Sequence, residues 1–415
     1  MRWKLTRHAM HVEHLSLQNF RNYARLDMTL PPGAILLYGA NAQGKTSLLE
    51  AIYYLATARS PYTTSDRQLI NWDADRDLYS FARIGAEVVN ASRMLNRIEI
   101  TLMETGDGLN GTRLNKEIRV NGVSRRAMDL VGQVSVVLFL PQDLTLVEGP
   151  PTERRRYMNV TLCQTDVEYC RALDTFEKAL GQRNALLKRI ADSDARPDQL
   201  EYWDEQLTSA GSVVVAGRQR LLRELEVQAR RVHYDLSGGT EDLELRYQPG
   251  FVATANNSGQ LSFEVLGLDL NRQLSVGDIA AQFAARLSET RGEEIERGMT
   301  LVGPQRDELR LMVNGRDLGL YGSRGQARTA VMALKLAELE WMHHTMGEWP
   351  ILLLDEVVAE LDAARRAYLL DRVKGVSQAL LTTTEPEIFT PDFLRSATRW
   401  HVHEGQIVSI SDAAG

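Results

Sequence analysis

Residues Gly39 to Thr46 read Gly-Ala-Asn-Ala-Gln-Gly-Lys-Thr. This is the pattern G-x-x-x-x-G-K-T. Its glycines, Gly39 and Gly44, let the backbone bend around a phosphate with N–H groups pointing inward. Lys45 is placed to reach the β- and γ-phosphates, and the Thr46 hydroxyl is a hard oxygen ligand for Mg²⁺. A second pair of residues, Asp355-Glu356, closes the apolar run Ile351-Leu352-Leu353-Leu354. Ligands of open α/β sheets sit outside the C-terminal ends of the strands. Asp355 suits a Mg²⁺ contact there, and Glu356 is placed to take a proton from an attacking water. A glycine-rich turn with a surface lysine would explain the first element alone. A helix-capping acid pair would explain the second alone. Neither explains their pairing, which implies that a nucleoside triphosphate is bound with Mg²⁺ and cleaved.

Such chemistry needs a strand, a loop and a helix in that order. Ala34-Ile35-Leu36-Leu37-Tyr38 reads as a buried strand, and Ser47 to Leu55 has helical spacing. His14 to Leu17 and Leu26 to Leu30 alternate apolar and polar residues around Asn19-Phe20-Arg21-Asn22-Tyr23, as half-buried strands do. Arg97 to Leu102 and Glu117 to Gly122 predict further antiparallel strands. Asp107-Gly108 and Asn110-Gly111 are turn signals between them. A second sheet beside the P-loop sheet follows.

The middle of the chain changes character. Leu173, Phe176, Leu180, Leu187 and Ile190 fall at helical steps, and so do Leu200, Trp203, Leu207, Ala210, Val214 and Leu221. The polar stretch 192–199 separates them. This predicts an antiparallel helical hairpin, each arm roughly 35 to 45 Å long at ~1.5 Å per residue. After Thr300 the α/β pattern returns, and a helix is predicted from near Gln326 to before Gly347. Ser323 with Gln326 three residues later forms a capping-box pattern at its start. Gly325 beside the cap leaves N–H donors there for an anion.

Composition sets outer bounds. The chain has 415 residues, of which 25% are charged and 44% hydrophobic, enough for two or three domains. Two cysteines, Cys163 and Cys170, are too few for a disulfide scaffold or a zinc site and fit a reducing cytoplasm. No apolar run is long enough to span a membrane. The first ten residues are basic without an apolar signal core, and Met10 is an alternative start. The net charge of −7 requires any DNA contact to come from local clustering. Candidates are Arg154, Arg155 and Arg156, with Arg183, Lys188 and Arg189 on the first hairpin helix. Arg218, Arg220, Arg223, Arg230 and Arg231 lie near the end of the second. Residues 151–240 hold fourteen basic and fourteen acidic side chains, so solvated faces with internal ion pairs are the competing reading.

The segment Ser323-Arg324-Gly325-Gln326, just ahead of the Asp-Glu strand, resembles the signature loop of ABC-type ATPases. In that class the signature of one subunit covers the γ-phosphate held by the P-loop of another. The resemblance therefore implies an ATP-dependent homodimer. Glu360-Leu361-Asp362 resembles the D-loop, which assigns Asp362 to it. Gln142 stands where a Q-loop is expected, joining Lys45 and Glu356 in the catalytic set and Thr46 and Asp355 in the metal set. A switch histidine would follow Gln378-Ala379-Leu380-Leu381, but Thr382-Thr383-Thr384 stands there. A threonine hydroxyl would then sense the γ-phosphate, and hydrolysis is expected to be slow.

Nearly the whole chain is similar to the RecF family of SMC-like ATPases. The carriers are Leu17-Gln18-Asn19-Phe20-Arg21-Asn22-Tyr23, the P-loop, Phe139 to Leu144, Gly149 to Arg156, Gln182-Arg183-Asn184, Gly303 to Asp307 and Ser323 to Gln326. Departures are Gln305, where the family usually has histidine, Asn159, where it usually has aspartate, and the stretch Thr57 to Ser65. The family's ATP contacts map to Gly39, Ala40, Asn41, Ala42, Gln43, Gly44, Lys45, Thr46 and Ser47, with Arg21 and Asn22. The resemblance implies ATP-driven dimerisation on gapped or junction DNA and weak ATPase activity. It also implies partnership with RecR, and with RecO, in loading RecA. The expected fold is α/β: a P-loop ABC-type ATPase head with an additional antiparallel sheet, plus an inserted, mostly helical arm. Residues 11–150 and 299–415 would form the head, and 151–298 the arm. The alternative, an SMC-type head with a short arm, is disfavoured because those heads are split by far longer coiled coils. A transporter subunit would show its own signature and a switch histidine. A nuclease would need a further acidic domain after Glu356.

Overall fold

Alternating burial along His11–Phe20 (β1) sets one of its faces inward, as a strand with one wet side requires. The computed structural model describes residues 10–72, 80–107, 111–251 and 274–411. The basic stretch before Met10, and residues 108–110 of the two turn signals, lie outside the described residues. Strand β1 pairs antiparallel with Tyr23–Thr29 (β2). Next come Gly33–Tyr38 (β3), the helix Lys45–Thr57 (α1), and the strands Phe81–Val89 (β4), Leu95–Asp107 (β5), Gly111–Val120 (β6), Val123–Arg125 (β7) and Val136–Phe139 (β8). One antiparallel sheet has the order β2-β1-β4-β5-β6-β7.

The middle begins with Thr145–Glu148 (α2), Pro151–Cys163 (α3), Val167–Ala191 (α4) and Leu200–Leu236 (α5). Strand Leu243–Gln248 (β9) and helix Val276–Arg297 (α6) follow. Then come Glu308–Val313 (β10), Arg316–Asp317 (β11), Leu318–Tyr321 (α7) and Arg324–Met346 (α8). Ile351–Asp355 (β12), Ala363–Val373 (α9), Gln378–Thr383 (β13), Pro391–Ser396 (α10), Thr398–His403 (β14) and Gln406–Ser411 (β15) complete the chain.

Strands β14, β3, β13, β12 and β8 lie parallel in one sheet, with β15 antiparallel on its edge. Continuous apolar runs form its centre: Ile35, Leu36 and Leu37 are buried, as are Ile351 to Leu354 and Ala379 to Leu381. Parallel strands covered on both faces read this way. Helix α1 is buried almost along its whole length. It touches β4 and β5 of the antiparallel sheet and β8, β12 and β13 of the parallel sheet. This is the α/β head with a second sheet that the pattern predicted.

The chain divides into two compact units, residues 1–143 with 339–415, and 144–338. These boundaries differ from the expected ones at 150 and 298. The stretch 299–338 joins the second unit because β10 pairs along its length with β9 and Arg183 on α4 bonds Thr300. In that unit α4 and α5 form the predicted hairpin, with Leu186, Leu187, Ile190 and Leu200 clustered against Ala195, Trp203 and Ile295. The second arm is longer than the sequence suggested. Its buried stripe continues past Leu221 through Leu222, Leu225, Ala229 and Val232, giving a helix of 37 residues. A third helix, α6, packs on both α4 and α5.

Candidate nucleotide site

The loop between β3 and α1 has the geometry its glycines permit. Gly39 has φ +148° and Gly44 has φ +114°. A Cβ on Gly39 would stand 2.4 Å from the Val402 carbonyl oxygen, and one on Gly44 would stand 2.7 Å from Asn22. Ala42 also takes a left-handed conformation, φ 60°. The Tyr23 hydroxyl donates to the Gly44 carbonyl at 3.0 Å. Gln43 accepts from the backbone of Glu404 at 2.8 Å and of Gly405 at 2.9 Å. The loop is thus braced from β2 and from the β14–β15 turn.

Lys45 is 3% exposed, and its Nζ donates to the carbonyls of Gly39 at 2.8 Å and Ala40 at 2.9 Å. Glu356 Oε1 lies 3.5 Å from the same nitrogen. Across 309 residues of sequence, Thr46 Oγ1 donates to Asp355 Oδ1 at 2.9 Å. Thr46, Asp355, Lys45 and Glu356 therefore meet at one point. They line a cavity of about 530 Å³ with Arg21, Asn22, Asn41, Ala42, Gln43, Gly44, Ser47, Asn71, Trp72, Pro141 and Gln142. Ligand pockets commonly fall in this size range. The donor set facing it, one hydroxyl and one carboxylate, fits Mg²⁺, which takes few protein oxygens and completes its shell with phosphate and water.

Thr382, from the threonine run, and three residues the sequence reading passed over, Tyr62, Glu50 and Ser60, hold this geometry. Thr382 Oγ1 donates to Asp355 Oδ1 at 2.7 Å and accepts from the Glu356 backbone at 2.9 Å. Thr383 instead caps the turn at Glu385, and Thr384 is exposed. The Tyr62 hydroxyl donates to Asp355 Oδ2 at 2.7 Å. Burial, and then the Asp355 charge, push this phenol far above its ordinary range, so it remains a donor at neutral pH. Glu50, 2% exposed, accepts from Ser60 at 2.5 Å and from Arg21 at 2.7 Å through both Nε and Nη2. An acid inside the apolar run Leu48-Leu49-Glu50-Ala51-Ile52 was the one local clue to that cluster.

Arg21 lines the cavity, and its guanidinium donates to Glu50 and, at 3.0 Å, to the Gln68 carbonyl. These bonds tie the β1–β2 turn to α1 and leave one N–H on each of Nη1 and Nη2. Ser323, Arg324 and Gly325 are exposed at the start of α8. The capping box forms as predicted: Gln326 Oε1 accepts from the Ser323 backbone at 2.9 Å, and Ser323 Oγ from Gln326 at 3.2 Å. Asp362 caps α9 by accepting from the Arg365 backbone at 2.9 Å, which holds its carboxyl below the ordinary range.

The DNA-facing set needs correction. Arg154, 8% exposed, clasps Glu308 at 2.7 and 3.0 Å and donates to the Gly149 carbonyl at 2.8 Å. Arg183 is fully buried, paired to Asp204 and Glu294 at 2.7 Å each and to Thr300 at 2.9 Å. Arg183 cannot reach a phosphate without leaving buried Glu294 unpaired, and Arg154 would have to give up half-buried Glu308. Arg155 is half-buried on the Asp307 carbonyl, and burial with neighbouring Arg218 lowers its pKa. Arg156 is half-buried as well. Arg218 is also interior, bonded to Asp307 at 2.6 Å and to Asn159 at 2.8 Å. The departure at Asn159 thus still supplies an acceptor oxygen. Lys188 and Arg189 do face solvent, the latter 3.1 Å from Asp194.

The RecF/RecN/SMC N terminal domain family matches residues 11–395. DNA replication and repair protein RecF of Chloroflexus aggregans is 42% identical over 408 residues, spanning 96% of this chain and 99% of its own. RecF of Herpetosiphon aurantiacus is 43% identical over 406 residues, with the same coverage of 96% and 99%. The solved RecF-ATP structure of the recombination mediator protein in the RecFOR pathway superposes with a TM-score of 0.83 at 28% identity. That match covers 99% of this chain and 100% of the other. Agreement over the full length, in sequence and in fold, makes this chain a member of the RecF family of DNA replication and repair proteins.

Proposed function

We propose that this chain is an ATP-dependent recombination mediator that closes as a homodimer on DNA. The observation that carries the reading is the meeting of Lys45, Thr46, Asp355 and Glu356 at one cavity, with the Thr46–Asp355 bond at 2.9 Å. The P-loop amides and Lys45 would hold the triphosphate, and Glu356 would orient the attacking water and take its proton. Mg²⁺, held by Thr46 and Asp355 with Gln142 beside them, would neutralise charge on the β- and γ-phosphates. A helix N-terminus with spare N–H groups fits the γ-phosphate of a second copy, and the exposed Ser323 segment is such an end. ATP would then join two copies, each providing half of two sites. Thr382 in place of a switch histidine supports slow hydrolysis, so ATP acts as a switch. The ATP and RecFOR pathway named for the solved relative support ATP as the nucleotide and RecR and RecO as partners in loading RecA. Gapped duplex and single/double-strand junctions are the DNA this reading favours.

Sedimentation with Mg²⁺ and ATP tests it. Glu356→Gln should retain ATP and hold a long-lived dimer on gapped duplex, whereas Lys45→Ala should lose ATP and remain monomeric. A Glu356→Gln chain that binds ATP yet stays monomeric overturns the composite site.

A further inference from the structure

Asp355 is 6% exposed, and its carboxylate receives three hydroxyls. Thr46 Oγ1 lies 2.9 Å from Oδ1 and 3.2 Å from Oδ2, Thr382 Oγ1 lies 2.7 Å from Oδ1, and the Tyr62 hydroxyl lies 2.7 Å from Oδ2. Thr46 lies at the start of α1 and Thr382 on β13, whereas Tyr62 comes from the loop after α1, inside the stretch 57–65 where the chain departs from the family pattern.

The loop is fastened at its root. Ser60 Oγ accepts from the backbone of Tyr62 at 3.0 Å and of Thr63 at 3.1 Å, while donating to Glu50 at 2.5 Å. Glu50 is in turn gripped by Arg21. The phenol is therefore not a surface ring that happens to touch an acid. It stands at the end of a fixed chain of bonds running from Arg21 through Glu50 and Ser60.

We propose that Tyr62 is a positioning residue that fixes Oδ2 of Asp355, so that the carboxylate meets a nucleotide-bound divalent cation in one orientation. The reasoning is geometric. The terminal torsion of aspartate is broad, so a carboxylate needs an outside partner on each oxygen to stay in one plane. Thr46 has a single proton, shared between Oδ1 at 2.9 Å and Oδ2 at 3.2 Å, and its lone pairs remain for a cation, so by itself it fixes neither oxygen. Thr382 then retains Oδ1 and Tyr62 retains Oδ2. Partners of this kind, one bond behind the ligand, commonly matter to metal affinity almost as much as the ligand does.

This inference rests on the reading of Asp355 as a cation ligand, and the experiment separates the two. Mn²⁺ replaces Mg²⁺, and free Mn²⁺ is followed by electron paramagnetic resonance on the full chain with a non-hydrolysable ATP analogue. Tyr62→Phe keeps the ring and should weaken Mn²⁺ binding about tenfold, with analogue affinity in EDTA unchanged. Ser60→Ala, which loosens the loop but leaves the phenol, should shift Mn²⁺ affinity in the same direction by less. Asp355→Asn is the control. If it weakens Mn²⁺ while Tyr62→Phe binds like wild type, the positioning role is wrong and the cation site stands. Tighter Mn²⁺ binding in Tyr62→Phe also overturns the proposal, because the phenol would then be a competitor of the cation. If Asp355→Asn leaves Mn²⁺ binding unchanged, both readings fall.

Discussion

Thr382 Oγ1 donates to Asp355 Oδ1 at 2.7 Å while accepting from the Glu356 backbone N–H at 2.9 Å. One hydroxyl thus ties the acid proposed to hold the cation to the start of the residue proposed as base. The parallel register that sets Asp355 opposite Thr382 makes the bond possible. Glu356 sits at φ 55°, a conformation that non-glycine residues avoid without outside support.

Removing that hydroxyl tests its part in the chemistry. Thr382→Val keeps the volume and branching but leaves Asp355 with one donor fewer. Single-turnover ATP hydrolysis should slow about 10–100-fold, with ATP affinity little changed. Thr382→Ser should restore most of the rate. Equal loss in the serine and valine variants would indicate packing in place of hydrogen bonding.

Burial sorts the arginines into two experiments. Arg183 and Glu294 are both 0% exposed, so Arg183→Ala leaves Glu294 in the interior without its ion partner, while half-buried Asp204 keeps Arg291 at 2.7 Å. Unfolding in urea should show a loss of about 3–5 kcal/mol. The double change Lys188→Ala, Arg189→Ala touches only solvent-facing side chains and should move stability by less than about 0.5 kcal/mol. If these residues neutralise phosphates, the slope of log affinity for DNA against log salt should become shallower by about 0.9 for each phosphate left without its cation. An unchanged slope removes this face from the DNA interface.

What the sequence revealed follows the range of the interactions. The P-loop and the capping box at Ser323 are set by neighbours a few residues apart, and both were legible. Strand β12 was legible because a continuous apolar run needs cover on both faces. Tyr62 was not, nor was the choice of Thr382 from the run 382–384, since a loop anchored through Glu50 and the register of β12 on β13 decide what touches Asp355. Arg183 shows the same limit. A helical arginine reads as surface unless its covering element is known, and α6, which carries Glu294, was not recognised. The apolar rhythm of α5 is hard to follow beyond Leu221 because Arg223, Arg230 and Arg231 stand among Leu222, Leu225, Ala229 and Val232.

His343 stacks on Trp349 with ring centroids 3.9 Å apart, and burial lowers its pKa from the ordinary 6.5. The unfolded chain therefore takes up a proton at a higher pH than the folded one. Stability from this group is present above pH 6.5 and is lost as pH falls from there through the folded value. The imidazole resonances should titrate below 6.5, and His343→Gln should remove that part of the fall in Tm on acidification. A folded-state pKa above 6.5 would reverse the sign and refute the assignment.

Gly217 lies within α5, where alanine would ordinarily be better by about 0.5–1 kcal/mol because glycine loses more chain entropy on folding. Here a Cβ would stand 2.6 Å from the Tyr169 ring. That ring has little freedom to retreat: Tyr169 is 1% exposed, and its hydroxyl bonds Asn159 at 2.7 Å and Arg218 at 3.3 Å. Overpacking of a fixed core costs about 1–3 kcal/mol, which exceeds the entropic gain. Gly217→Ala should therefore lower the unfolding free energy in urea, despite the better helix former. Gly181 on α4 meets nothing within 4 Å, so Gly181→Ala should be neutral or stabilising. A stabilised Gly217→Ala chain would mean that Tyr169 yields, and that its bonds to Asn159 and Arg218 hold the arm less firmly than their lengths imply.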